Sequence, residues 1–354
     1  MSNLKPDTVS NEVRRYNNFN LIRLIAAGFV IYSHSYALVG ITEPLFFRYI
    51  TFGGAGVYIF FVVSGYLIIQ SWDRDPHPFR YFVRRSLRIF PGLAVCVAIC
   101  TFVLGSMITT LSLSDYITHD VTWQYLKNTI LLVQYHLPGV FYDNPHKFAV
   151  NGALWSLPIE FCMYIALPII AYFINYVWTF VFIAVASSIV TISWALNPGS
   201  EALVFLGSDI RMLFICGTYF WFGALLYKII IISKAPMSVL AVLAALSTVI
   251  MTTLSFMNPH LLHYATWILL PLILIWFGET KCPNILKPIA RFDISYGLYI
   301  YAFPIQQTFV YLIPDITAIQ LCTITLICAS CAGAISWKFV EKPCLSRKPI
   351  ARPV

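Results

Sequence analysis

Apolar residues run along this chain in blocks of about twenty, separated by short stretches rich in Pro, Gly and basic residues. A helix crossing a bilayer needs about 20 mainly apolar residues. Ten blocks meet that length, at roughly 19–40, 50–70, 88–110, 152–174, 177–196, 209–232, 236–257, 260–279, 292–313 and 317–337. Turn formers mark several breaks, as in "NPGS" (197–200), "KAP" (234–236) and "NPH" (258–260). No block repeats another, directly or inverted. The one long polar interval, 111–151, contains "DYITHDVTWQYLKNTILLVQ", where apolar positions return at roughly helical spacing. That spacing predicts a surface helix over the outer mouth. The whole pattern predicts an all-α polytopic membrane protein: a tail over 1–18, a membrane domain over 19–340 with its outer segment at 111–151, and a tail over 341–354.

Composition agrees: 59% of the 354 residues are hydrophobic and 11% charged, against about a quarter charged in soluble domains. The net charge of +8 then has to be read by position, because basic residues in short loops set membrane orientation. With the N-terminus placed in the cytoplasm, eighteen Lys and Arg fall on the inner side. Four fall outside: Arg48, Lys127, Lys147 and Arg211. This asymmetry supports ten spans with both termini cytoplasmic. Basic residues placed beside spans in this way argue against nucleic-acid binding. Cys96, Cys100, Cys162, Cys216, Cys322, Cys328 and Cys331 lie within apolar runs and behave as small hydrophobes, not as a disulfide framework. The first eighteen residues are polar and the first apolar run lacks a small-residue cleavage site, so no cleavable leader is expected.

Three strongly ionisable groups fall well within the blocks: Arg23, His34 and Glu160. Such groups cost several kcal/mol at membrane depth unless they face protein or water, which makes them candidates for function. Arg23 could instead snorkel to the inner surface, and Glu160 could simply tie helices together. Eleven residues make just over three helical turns, so Arg23 and His34 share one face, roughly 16 Å apart along the axis. Glu160 falls about eight residues into an inward-running block, roughly 12 Å below the outer surface. Depth alone therefore pairs it with His34, whose tautomer and basicity a carboxylate would fix. His119, His136, His146, His260 and His263 show no metal-site spacing and read as surface histidines. No metal is expected, and no phosphate-cradling or dinucleotide fingerprint occurs.

A second cluster lies in "RYFVRRSLRIFPGL" (80–93). Arg80, Arg84 and Arg88 would line one helix face, with Arg85 beside them. Four arginines within nine residues exceed what orientation alone requires. A row of guanidiniums suits a multiply phosphorylated ligand. A cytosolic metabolite with several phosphates and a reactive tail is an acyl-CoA.

Six motifs in order resemble the acyltransferase-3 family of integral-membrane acyltransferases: "RLIAAGFVIYSH" (23–34), "GVYIFFVVSGYLI" (56–68), "RRSLRIFP" (84–91), "LWSLPIEFCMY" (154–164), "ISYGLYIYAFPI" (294–305) and "FVEKP" (339–343). The resemblance covers nearly the whole chain. It implies transfer of an acyl group, most often acetyl, from acyl-CoA to a hydroxyl of a glycan or other small acceptor at the bacterial cytoplasmic membrane. It also implies that Arg23 and His34 are essential, that the arginines contact acyl-CoA, and that Glu160 acts within its motif. Two positions depart from the family pattern. Tyr58 stands where many relatives have an acidic residue, and Ala302 or Phe303 where many have histidine. The extra hydrolase-like domain frequent in the family is not found, so a relay through a second domain of this chain is not expected.

The combined expectation is an enzyme with no bound cofactor. CoA phosphates rest on Arg84, Arg85 and Arg88, with Arg80 a turn earlier, and Arg23 guides the pantetheine arm. His34 is general base, or forms a transient acyl-His. Glu160 orients it, and Ser64, Trp155 and Tyr296 are pocket-wall candidates. Trp155 can also be read as an interfacial anchor and Ser64 as a packing residue. The competing expectation is a proton-coupled secondary transporter using the same Arg, His and Glu.

Overall fold

The structure is a computed structural model that describes residues 17–173, 176–197, 203–287 and 292–349. The basic residues Lys5, Arg14, Arg15, Arg291 and Arg352, and the "NPGS" turn beyond Asn197, lie outside the described residues. Most of the described chain is helical; two short hairpins (β1 Leu45–Phe46 with β2 Ile50–Thr51, and β3 Val204–Phe205 with β4 Ser208–Asp209) are its only sheets. Among the described residues nine helices are long and apolar enough to cross a membrane: α1 Phe19–Leu38, α2 Phe52–Arg74, α3 Pro78–Ile108, α6 running to Phe173 from Ser156, α7 Val177–Leu196, α8 Ile210–Ser233, α9 Met237–Met257, α10 Pro259–Glu279 and α12 Ala318–Ser346. The block expected at 292–313 forms α11, Ser295–Leu312. This helix is less apolar because it is buried on protein, not lipid: Gln306 and Gln307 are both fully enclosed. The chain is an all-α, multi-pass membrane protein.

Local chemistry starts and stops these helices where the sequence changes character. Thr51 caps α2 by accepting from the amide of Gly54. His77 caps α3 with Pro78 just inside. Asn258 and Pro259 open α10 in the same way, and Thr317 with Gln320 forms a capping box on α12. The third helix is longer than its apolar block because "PFRYFVRRSLRIF" continues it amphipathically toward the basic side. Pro91 lies inside it, and a π-helical turn follows at Ile99–Leu104.

Helix α2 is the hub. It packs against α1 on one side and α8 on the other, while α11 and α12 close over α1. The α2–α8 contact depends on two glycines: a Cβ at Gly65 would stand 1.9 Å from the Phe220 carbonyl oxygen, and one at Gly223 2.3 Å from that of Val62. Small residues let membrane helices bring their backbones together where no hydrophobic drive separates helix from lipid. Helices α7 and α9 are peripheral and turn large side chains such as Trp178, Phe182 and Val249 outward.

The outer segment differs from expectation. In place of one surface helix it forms α4 Leu113–Thr118, α5 Asp120–Gln124 and a 3-10 turn, Tyr125–Ile130. It then runs without regular structure back toward the bundle. Tyr116 and Tyr125 are buried, so this segment packs as part of the protein. At its far end Asn151 is fully buried and donates to the Ile300 carbonyl of α11 at 2.8 Å. The chain therefore enters α6 from inside the bundle, not from its outer surface. At the other end of the molecule, Glu341 is buried and the last helix continues to Ser346, beyond the expected tail boundary.

Candidate active site

Two cavities lie along the inner face of α1. The inner one is lined by Arg23, Ser64, Arg85, Arg88, Glu160 and Tyr296, among others. The outer one is lined by His34, Glu43, Tyr135, His136, His146 and Phe303, among others. Helix α1 thus does what its spacing predicts, presenting Arg23 to one chamber and His34 to the other.

In the inner cavity the arginines are sorted by their acidic partners. Asp75, in the turn between α2 and α3, is 1% exposed and takes both Arg80 and Arg84 as ion-pair partners. The Arg80 hydrogen bond, with Arg84 behind it, outweighs burial and holds the Asp75 carboxyl down at about 2. Asp293, just before α11, accepts from Arg88 at 2.6 Å and from Ser295 at 2.7 Å, and lies 3.5 Å from Arg23. Arg23 also donates to Asn20 at 3.1 Å, so it is paired within the bundle and does not snorkel. Arg85 alone of the four expected arginines forms no ion pair among the described residues. Its Nε is buried without a hydrogen-bond partner, and its guanidinium faces the Tyr164 ring at 6.0 Å. The expected row 80–84–88 is therefore split: Asp75 engages the first two, and Arg88 and Arg85 line the cavity. Burial, with the nearby Arg85 and Arg88 behind it, pushes the Lys348 amine down to about 8.

Glu160 is not beside His34. It accepts from Ser64 at 2.8 Å and from Tyr164, inside the inner cavity. The depth count assumed that the block beginning at 152 starts at the outer surface. Because Asn151 and the 3-10 turn Gly152–Trp155 are already sunk into the bundle, eight further residues carry Glu160 to the level of Arg23. Ser64 and Tyr296 line this cavity as expected; Tyr296 donates to the Ile89 carbonyl at 2.8 Å. Trp155 does not line it. Its carbonyl accepts from Ser208, and the neighbouring Ser156 and Leu157 take its place in the wall.

From the side of α11, Tyr299 lines the inner chamber and Phe303, one turn on, lines the outer. Tyr299 pairs with Ser156 at 2.7 Å and donates to the Ala153 carbonyl at 2.8 Å. Phe303 packs on Gly152, where a Cβ would meet its ring at 2.7 Å. His34 meets the Phe303 ring edge-on at 5.2 Å, and His146 lies 6.1 Å from the same ring. Glu43 accepts a short hydrogen bond from Ser33, next to His34 in the chain. Of the two positions that depart from the family pattern, Phe303 is part of the outer chamber, and Tyr58 is stacked on Tyr219 at 4.1 Å.

Sequence reasoning did not single out Asp293, Tyr164, Glu43 or Gln307; it read His136 and His146 as surface histidines, and both are exposed, at the outer chamber. Asp293 had a signal, lying directly before the "ISYGLY" motif. The loop residues had none, because only the return of the outer segment brings them over α1. Glu341 of the "FVEKP" motif accepts from Ser336 at 2.9 Å, and the Cβ of a residue replacing Gly297 would lie 3.4 Å from it, one layer behind Tyr296.

Comparison with known proteins bears on the same residues. The O-acetyl transferase of Shigella phage Sf6 is 30% identical over 344 residues, covering 95% of this chain and 98% of that protein. Nodulation protein 10 of Rhizobium leguminosarum bv. viciae is 31% identical over 165 residues, 44% of each chain. No solved structure matches the chain. The acyltransferase domain matches residues 16–339, from just before α1 into the last turns of α12. Since that match takes in both chambers, the chain belongs to the acyltransferase-3 family of integral-membrane acyltransferases.

Proposed function

We propose that this protein is an O-acyltransferase of the bacterial cytoplasmic membrane, moving an acyl group, acetyl first among them, from cytosolic acyl-CoA to a hydroxyl of a cell-surface or lipid-linked glycan. The observation that carries this reading is the arrangement along α1: a cationic chamber at Arg23 and a histidine chamber at His34, with Tyr299 of α11 lining the first and Phe303, one turn on, lining the second. The family and the phage O-acetyl transferase support acyl transfer over the transporter alternative.

In this reading the CoA phosphates bind at the cationic mouth. Arg85, without an acid of its own, is the primary contact, and Arg88 adds to it from its pair with Asp293. Arg80 and Arg84, held by Asp75, brace the helix that presents them. The pantetheine arm runs past Arg23 and between Tyr299 and Phe303, bringing the thioester to His34. Neutral His34 takes the proton of the acceptor hydroxyl. The hydroxyl oxygen attacks the thioester carbonyl, the new C–O bond forms and the C–S bond breaks. The CoA thiolate then takes up a proton and leaves as the thiol, and His34 returns its proton to water. Glu160, hydrogen-bonded to Ser64 and Tyr164, shapes the path of the arm and does not orient the base.

The test is transfer of labelled acetyl from acetyl-CoA to surface polysaccharide fractions by the purified protein in nanodiscs. His34→Ala is expected to lower turnover by roughly 10²–10⁴-fold, the usual contribution of a positioned base. Arg85→Ala is expected to raise the KM for acetyl-CoA. Full transfer by the His34 variant would sink the mechanism.

A further inference from the structure

The acyl-transfer reading leaves the outer chamber with one assigned residue, His34, and no account of what holds the acceptor. His146 lies in the irregular segment 144–149, several of whose side chains are exposed. The segment is tied to the bundle by Gln307, fully buried on α11. Its Nε2 donates to the carbonyls of His146 at 2.8 Å and Ala149 at 2.7 Å, and its Oε1 accepts from Asn144 at 2.8 Å. Asn144 reaches the Gln307 backbone carbonyl as well, at 2.9 Å. Both ends of the side-chain amide are thus engaged by this strap. Two residues further on, Asn151 ties the same strand to α11 again. The strap is held against the helix that also carries Phe303, and both the His34 and His146 rings lie against that side chain in the outer chamber.

Two imidazoles beside one aromatic side chain, in a chamber open to the outer side, form a surface for a sugar. The apolar wall takes C–H groups and the ring nitrogens take neighbouring hydroxyls. We propose that His146 is the second histidine of the acceptor site. It holds the hydroxyl adjacent to the one His34 deprotonates, on a pyranose acceptor, and Gln307 is the positioning residue that presents it. The inference rests on the acyl-transfer reading and adds to it the chemical class of the acceptor and the residues that select it.

The experiment uses the full-length protein in nanodiscs, acetyl-CoA, and a panel of methyl pyranosides with their monodeoxy analogues. His146 is exposed, so His146→Ala is expected to fold with an unchanged Tm. It should raise the KM of an accepted pyranoside about tenfold, leave kcat within about twofold, and leave the KM of acetyl-CoA alone; one lost neutral hydrogen bond is an effect of this size. The analogue lacking the neighbouring hydroxyl should show the same loss with the unaltered enzyme and no further loss with His146→Ala, the signature of a direct pair. His146→Gln, which keeps a donor and an acceptor, should recover part of the affinity. Gln307→Leu should reproduce the rise in acceptor KM with the donor KM unchanged. Independent losses from the two changes, or a His146→Ala effect on kcat or on the donor, would overturn the proposal. So would rejection of every pyranoside while His34-dependent acetyl-CoA turnover persists, with acyl transfer left standing. Acetyl-CoA turnover indifferent to His34 would remove the acyl-transfer reading, and this inference with it.

Discussion

At the scale of single residues, the fate of each charged side chain depends on which carboxylate reaches it. Asp75 is the plainest case, buried between Arg80 and Arg84 in the turn that joins α2 to α3. Its carboxyl is held near 2, below the ordinary carboxylate value of about 4. Because the unfolded chain then binds the proton first, the contribution of this cluster to stability is fully present above about pH 4 and lost as pH falls toward 2. Asp75→Asn should lower the Tm of the detergent-solubilised protein at pH 7, with the gap to the unaltered protein closing at pH 3 and below. A gap independent of pH would refute the assignment. The arginines themselves are legible in the sequence, but their division of labour is not. Asp75 and Asp293 are short acidic residues in loops, and nothing in their local spacing says which guanidinium each will meet.

At the scale of elements, the helices are written in the chain and their contacts are not. Apolar blocks, caps and prolines place most helix ends within a few residues of where the sequence puts them, because those signals are local. The contact of α2 with α8 depends on Gly65 and Gly223 meeting backbone carbonyls of the opposite helix. Gly65→Ala should therefore cost roughly 3 kcal/mol or prevent folding, by the overpacking of a site with no room to yield. The same change at Gly28, where an added Cβ meets nothing within 4 Å, should be near neutral. Thermal unfolding of both variants checks this, and an unaltered Tm for Gly65→Ala would contradict the close approach. The outer segment is the element least legible in advance. Its apolar spacing is helical, yet Tyr116 and Tyr125 pack into the protein and the end of the following stretch is held to α11 by the side chains of Asn144, Asn151 and Gln307.

At the scale of the whole molecule, the charge distribution and the two chambers agree on a direction. The basic residues of α3 and the C-terminal end gather at the inner chamber, and the outer segment covers the other. With the N-terminus in the cytoplasm, a cysteine replacing Lys147 in a cysteine-free background should react with a membrane-impermeant maleimide added to intact cells. One replacing Lys234 should react only after the membrane is opened. The reverse labelling would invert the topology, and with it the side from which acyl-CoA enters. The polar groups inside the bundle follow the same logic. His34, Glu160 and Arg23 are tolerated at membrane depth because they face chambers or partners and not lipid.

The sequence by itself determined the class of protein, the helical blocks, the family and the alignment of Arg23 with His34. Each rests on composition or on the fixed periodicity of a helix, and neither needs to know what lies opposite. Only the tertiary structure decided that Glu160 sits with Ser64 and Tyr164, that Asp75 and Asp293 sort the arginines, and that His146 stands near His34. These outcomes depend on the outer segment sinking into the bundle before α6 and on loops closing over α1. Hydrogen bonds between residues more than a hundred positions apart fix that arrangement, such as Asn151 to Ile300 and Gln307 to the 144–149 strap. A periodic pattern reports which face of a helix is buried; it carries no information about which distant segment buries it.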